Sequence, residues 1–412
     1  MAVPSLPPEL VRDIVDAVIS SNGSHAQRVP ILASLALVSR TFYAIANPLL
    51  YRNLFLDTRR RSSILSALTT NSALKSHVTS LTVSGGNLSG TDLDAVVEVL
   101  RGCRNVTRLG YFCFDPTLLP AFTRFVAQTW STTLRYLRAD QKDGLYHLVV
   151  SLPNLEELVA ARIDFPTPTT TTAPTVRASD ASSTGRSQPL VPSFRLERFD
   201  SASSPLARDL DLLLSSSRSS LKSLDLPISS QSPLPNLCPF EALESMTLSL
   251  TERYIPHDDV ADSLNSPSDE STPTRTRLTG RDDRACLVRV KRVLGGTPRA
   301  RGAGTDPSRP GLPIKHLEIY EPEYSRTRRF SRLDIERVNL VEAVPDSVVS
   351  LDLSTLDIGI EYLARRLRLP EERRGGPVVC KGLKRITLKA ATESSRDFDE
   401  VVRSRGIVVE WV

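Results

Sequence analysis

The chain lacks any run approaching the ~18 consecutive apolar residues of a spanning helix, so no transmembrane segment is expected. Its first residues lack the basic stretch, unbroken apolar core and small-residue cleavage site of a secretory signal, which leads us to expect an intracellular protein, cytoplasmic or nuclear. Cysteine is scarce. Cys103, Cys113, Cys238, Cys286 and Cys380 are odd in number and at least ten residues apart, a pattern of reduced thiols rather than a disulfide framework or a zinc site. The five histidines, His25, His77, His147, His257 and His316, stand singly, with no HExxH and no His/Cys pair at ligand spacing, so no metal is expected. A Gly-x-Ser-x-Gly elbow is absent, and "GAG" at 302–304 lacks the strand before it and the helix after it that a phosphate loop needs. No catalytic constellation can be assembled, so neither enzymatic activity nor a cofactor is expected. Aromatic residues make up 6% of the chain and do not interleave with its basic clusters ("RRR" at 59–61, "RTRRFSR" at 326–332), and the net charge is only +5. A nucleic-acid surface is not expected.

What the chain does have, over 412 residues that are 40% hydrophobic and 24% charged, is enough apolar material for a sizeable core in two or three domains. Two stretches break the globular pattern. Residues 166–193 are dominated by Ser, Thr and Pro, and 256–313 are rich in Pro, Gly, Asp and Arg without any aromatic residue. Both read as disordered inserts, although "RACLVRVKRVL" at 284–294 has the spacing for a helical turn or two.

Outside these inserts one pattern recurs: apolar, two polar, apolar, polar, apolar. It appears ten times, as "VTSLTV" (78–83), "VTRLGY" (106–111), "LRYLRA" (134–139), "LEELVA" (155–160), "LERFDS" (196–201), "LKSLDL" (221–226), "LESMTL" (243–248), "IKHLEI" (314–319), "VVSLDL" (348–353) and "LKRITL" (383–388). The alternation within each copy suits a short strand, and stretches between copies, such as 91–103, 116–130, 205–217 and 359–369, read as helices. The central residues Leu81, Leu109, Leu137 and Leu158 are 28, 28 and 21 positions apart. The fold class is therefore α/β.

The pattern resembles the leucine-rich repeat, L-x-x-L-x-L, over roughly residues 75–412. The resemblance implies an irregular solenoid of short parallel strands alternating with helices, because one such unit cannot bury its apolar face alone. One departure is evident: the Asn or Cys that the family places three residues after the last Leu is Gly86, Phe114, Lys142 or Ile163 in the first four copies. A generic α/β domain with a partly parallel sheet is the alternative. On the solenoid reading the x positions Thr82, Gly110, Arg138, Asp225, Thr247, Glu318 and Asp352 project from the concave face towards a protein substrate.

The first residues differ. In "SLPPELVRDIVDAV" (5–18), Pro7 and Pro8 mark a helix start, Glu9 suits its positive end, and Leu10, Val11, Ile14, Val15, Val18 and Ile19 make one broad apolar face. The stretch 31–56 then places Leu32, Leu35, Val38 and Phe42 on one helical face, which is expected to stop near Asn47–Pro48. "LPPEL" at 6–10, "LALVSRTF" at 35–42 and "PLLY" at 48–51, in that order, resemble the F-box of fungal substrate receptors of cullin-type ubiquitin ligases. The resemblance implies an F-box module over 1–57, a repeat domain over 58–412, and docking on a Skp-type adaptor and thereby a cullin scaffold through Leu6, Pro7, Glu9, Leu10, Ile14, Leu35, Val38, Ser39 and Phe42. "SNGSHAQRV" at 21–29 is a longer linker than many members have. The alternative is a helical cap on a repeat scaffold with no link to ubiquitin.

Overall fold

The computed structural model describes residues 6–20, 25–57, 61–86, 88–140, 145–161, 192–201, 207–228, 240–250, 281–295, 313–321, 335, 338–368, 380–389 and 395–412. The chain divides into two compact units, Met1–Arg195 and Leu196–Val412. Residues 166–191 of the first proposed insert lie outside the described residues.

The first unit opens with three helices, α1 (Pro8–Ser20), α2 (His25–Ala36) and α3 (Arg40–Arg52). Their shared core is Val11, Val15, Leu32, Ala36, Phe42 and Ala46. Two expectations need correction. The linker at 21–29 is shorter than its sequence suggests, because α2 already begins at His25 and carries Pro30 within it. The helix expected to end near Asn47–Pro48 instead runs through Pro48 to Arg52. Leu49 and Leu50 pack on the helical core, and that burial offsets the hydrogen bond a proline cannot donate.

The helices lead without a break into a parallel sheet. Strands β1 (Asn53–Leu56), β2 (Ser80–Ser84), β3 (Arg108–Phe112), β4 (Tyr136–Ala139) and β5 (Glu157–Ala160) lie in chain order. Between them run α4 (Arg61–Thr70), a 3-10 turn (Ser72–His77), α5 (Gly90–Leu100), α6 (Leu119–Trp130) and α7 (Leu145–Val150). Leu54, Leu81, Leu109, Leu137 and Leu158 are register partners from strand to strand, all buried. Each copy also hands one carbonyl to the next: Thr79 O accepts from the N–H groups of Thr107 and Arg108, Thr107 O from Arg135 and Tyr136, and Arg135 O from Glu156 and Glu157. After β3, Phe114 fills the turn with apolar volume, stacked 4.5 Å from Phe122 and edge-on to Tyr111. Gly85 makes room for it, since a Cβ there would lie 2.5 Å from the Phe114 ring. Lys142 and Ile163 fall outside the described residues.

The second unit repeats the scheme, with seven parallel strands among its described residues: β6 (Arg198–Ser201), β7 (Ser223–Ile228), β8 (Ser245–Leu250), β9 (His316–Tyr320), β10 (Ser350–Asp352), β11 (Arg385–Leu388) and β12 (Val408–Trp411). Its helices are α8 (Ala207–Leu214), α9 (Arg281–Gly295), α10 (Ile360–Leu367) and α11 (Arg396–Ser404). All ten recurrences of the motif are strands, each beginning at its third residue. Strands β1 and β12 escaped the pattern.

The expectation of disorder over 256–313 fails at α9. This helix is 15 residues long, and Cys286, Leu287, Val290, Val293 and Leu294 are buried in the second unit. The Cys286 thiol donates to Ile228 O at 2.9 Å, and Lys291 Nζ donates to Val338 O at 3.1 Å. Apolar spacing at i, i+1, i+4, i+7 and i+8 specifies one narrow stripe, which the surrounding charge hides in composition.

Leu109→Ala is expected to destabilise the protein by about 2–5 kcal/mol, through lost burial plus a cavity. Arg108→Ala, whose side chain is 51% exposed, should cost under about 1 kcal/mol. Urea unfolding of the two variants checks the register: equal losses would mean that the wrong residue had been assigned to the core.

Candidate docking surfaces

The broad apolar face of α1 is wider than its core contact. Val11 and Val15 point into the helical core, Val18 and Ile19 pack against it, and Leu10 and Ile14 stay outside, 49% and 39% exposed. Leu6 is 49% exposed just before the helix. Between α2 and α3 the chain turns at Leu37 and Val38, 87% and 66% exposed. Ile31 and Tyr43 are exposed as well. Seven of the eleven large apolar side chains exposed among the described residues thus lie between Leu6 and Tyr43. Large apolar side chains left in solvent in such density on one module are material for an interface.

Not every residue of the proposed adaptor set belongs to that surface. Pro7 and Glu9 are exposed at the start of α1, where Pro7 O accepts from the Val11 N–H. Ser39 caps α3, its hydroxyl accepting from the Phe42 N–H at 3.3 Å. Leu35 is half-buried on the helical core. Phe42 is a correction: it is 5% exposed, and its ring holds the three helices together instead of facing a partner.

A second surface is the open face of each sheet. In the first unit Phe55, Thr82, Gly110, Arg138 and Val159 are register partners in one row. In the second unit the row is Asp200, Asp225, Thr247, Glu318, Asp352, Thr387 and Glu410. The seven x positions named from the sequence therefore fall into these two rows, with the expected side of the strand. Gly110 itself is buried between its neighbours. The acidic members beside them were missed, although Asp200 occupies the same motif position as Asp225; Glu410, in a strand outside the motif, is placed there by its register with Thr387.

Adjacent carboxylates make the second row electrostatically tense. Burial, together with the charges of Asp200 and Glu318, pushes the Asp225 carboxyl up to about 7 against the opposing pull of Arg198. Burial and Asp352 raise Glu318, whose carboxylate accepts from the Thr247 hydroxyl at 3.3 Å. The native state therefore holds a proton on Asp225 that the unfolded chain releases near its ordinary value of 3.8. Stability is expected to fall as pH rises from about 4 towards 7. Asp225→Asn removes the share of this dependence that Asp225 contributes and should raise stability at pH ~8 by about 1–2 kcal/mol after solvent screening. Urea midpoints of both proteins across that range provide the check, and parallel curves would contradict the assignment.

Among the described residues no group of three or more His, Cys, Asp or Glu side chains could hold a metal, and no helix is long and apolar enough to cross a membrane. Cys103 and Cys380 are buried thiols, pushed up by that burial to about 11 and about 12, which keeps them neutral and unreactive.

No protein-family model and no curated protein matches this chain.

Proposed function

We propose that this protein is a non-catalytic substrate-recognition subunit of a cullin-type ubiquitin ligase. The helices at its start dock a Skp-type adaptor, and the open sheet face holds a protein substrate. The observation that carries this reading is the apolar surface of Leu6, Leu10, Ile14, Leu37 and Val38, exposed on a helical module whose own core is already complete without them. The motif order in the sequence supports the choice of partner.

The mechanism is proximity. A receptor of this kind contributes no bond-making group; it holds substrate lysines near ubiquitin activated elsewhere in the complex, which raises their effective concentration. Recognition resides in the sheet face, and recruitment in the helices.

One observation favours a second reading, a repeat scaffold with a helical cap. Helix α3 continues into β1, and Arg52 O accepts from both the N–H and the hydroxyl of Thr79 at the start of the next strand, as a cap on the first repeat requires. Co-purification of the full chain with a Skp-type adaptor separates the two. Stoichiometric co-elution is expected for the ligase subunit, and none for the scaffold.

A further inference from the structure

Three of the large apolar side chains exposed among the described residues stand on or next to β12: Val408, Trp411 and Val412, at 58%, 39% and 73%. Among the described residues β12 is the last strand of its sheet, and its neighbour in the ladder is β11. The register between them is regular, with Val408, Val409, Glu410 and Trp411 beside Arg385, Ile386, Thr387 and Leu388. The Val408 N–H donates to Lys384 O at 2.8 Å, and the Val412 N–H to Leu388 O at 2.9 Å. In a parallel ladder the N–H and C=O of one residue turn to the same side, and those of the next residue to the other. Val408, Glu410 and Val412 therefore face β11 with their main-chain groups. Val409 and Trp411 face outward with theirs, where none of the described residues pairs with them. Such an edge is a template for another strand, and the Lys, Pro and bulges with which proteins blunt an edge are absent from β12.

The side chains indicate what the edge can take. On the core side, the row that is fully buried at Leu351 and Ile386 becomes half-buried at Val409, and Trp411 follows the buried Leu388 with much of its ring in solvent. The first strand of the chain differs, since the core-side Leu54 and Leu56 of β1 are buried. Trp411 meets Phe398 of α11 edge-on at 6.4 Å. Helix α11 itself presents Arg396, Asp399, Glu400 and Arg403 to solvent and no large apolar side chain. The helix layer thus closes on a polar face, as a terminal repeat does, while the strand layer stays unpaired. A further repeat would need an apolar helix face here; a lone strand needs only the edge. An edge of four residues also buries far less than the roughly 1,200 Å² of a stable protein–protein interface, so it suits a short segment better than a second copy of the chain.

We propose that the free edge of β12 receives an extended segment of a partner protein, which adds a strand to the sheet by bonding the outward N–H and C=O groups of Val409 and Trp411 and lays alternate apolar side chains beside Trp411. Backbone bonds supply the affinity, and the side chains on the core side set the preference. None of these residues belongs to the helical module, so the inference stands independently of the adaptor reading.

The test titrates the full chain with the peptide GKTVTVTKG to about 2 mM and follows tryptophan emission. The chain has two tryptophans, and Trp130 is fully buried, so a blue shift on binding reports the covering of Trp411. The same peptide N-methylated at both valines keeps its side chains and loses two N–H donors, whereas GKTSTSTKG keeps the backbone and loses the apolar groups. Each control is expected to bind at least about tenfold more weakly. Val409→Pro deletes an N–H that faces outward and leaves the β11 ladder intact; it should weaken the parent peptide at least about tenfold, with the melting temperature within about 3 °C of wild type. Should that variant unfold, the N-methyl comparison on the wild-type chain decides the same point. No saturable binding of GKTVTVTKG, binding without a shift in emission, equal binding of either control, or undiminished binding by folded Val409→Pro would overturn the proposal. So would dimerisation of the free chain that Val409→Pro abolishes in sedimentation, which would give the edge to a second copy.

Discussion

Deleting residues 281–295 is expected to abolish the cooperative unfolding of the second unit. Five apolar side chains of α9 are buried there, and at about 1.5–3 kcal/mol each their loss removes about 7–15 kcal/mol. That is the whole stability of a typical domain. Deletion also strips the Cys286 thiol from Ile228 O and the Lys291 ammonium from Val338 O, leaving two buried or half-buried carbonyls to find other donors. By contrast, removing 256–280, whose sequence has no regular apolar spacing, should shift the melting temperature by no more than about 3 °C. Scanning calorimetry of both deletions is decisive. A cooperative, wild-type-like transition without 281–295 would show that the helix is an ornament on the unit and not part of its core.

The second large effect concerns the helical module. Leu10→Glu combined with Val38→Glu is expected to weaken adaptor binding by at least about 100-fold, or about 2.7 kcal/mol, with an unchanged melting temperature. Both side chains are largely in solvent, at 49% and 66% exposure, so charging them takes nothing from the core and places two carboxylates in an apolar interface. The milder pair Leu6→Ala and Pro7→Ala should cost about tenfold. Phe42→Ala should behave in the opposite sense. It is 5% exposed, so its loss is expected to cost about 3–5 kcal/mol of stability, with binding lost only as the helices come apart. Adaptor pull-down beside a melting curve distinguishes the three. If charging Leu10 and Val38 left binding intact, the apolar surface would have another use and the ligase reading would fall.

Much of the repeat region was legible because period-two alternation is a local property. A residue's side of a strand is set by its neighbours in sequence, so the placement of Leu81, Leu109, Leu137 and Leu158 in one buried row, and of Thr82, Gly110 and Arg138 in one open row, follows from the motif once strands are assumed. β1 and β12 were harder to read. In "YRNLFL" (51–56) Phe55 puts an apolar residue where the motif has a polar one, and in "VVEW" no side chain is buried, so the alternation has no buried face to impose it. The stripe in α9 was visible as spacing, but composition over 256–313 averaged it away.

The α/β alternation and the side of each strand that lines the open face are written locally in the chain, because they depend on hydrophobic period and backbone geometry within a few residues. Which half of the apolar face of α1 is covered, and that Phe42 belongs inside while Val38 stays outside, came from the packing of the three helices. Those outcomes depend on where α2 and α3 lie against α1, and distances between segments remote in sequence are not written in the periodicity of either one.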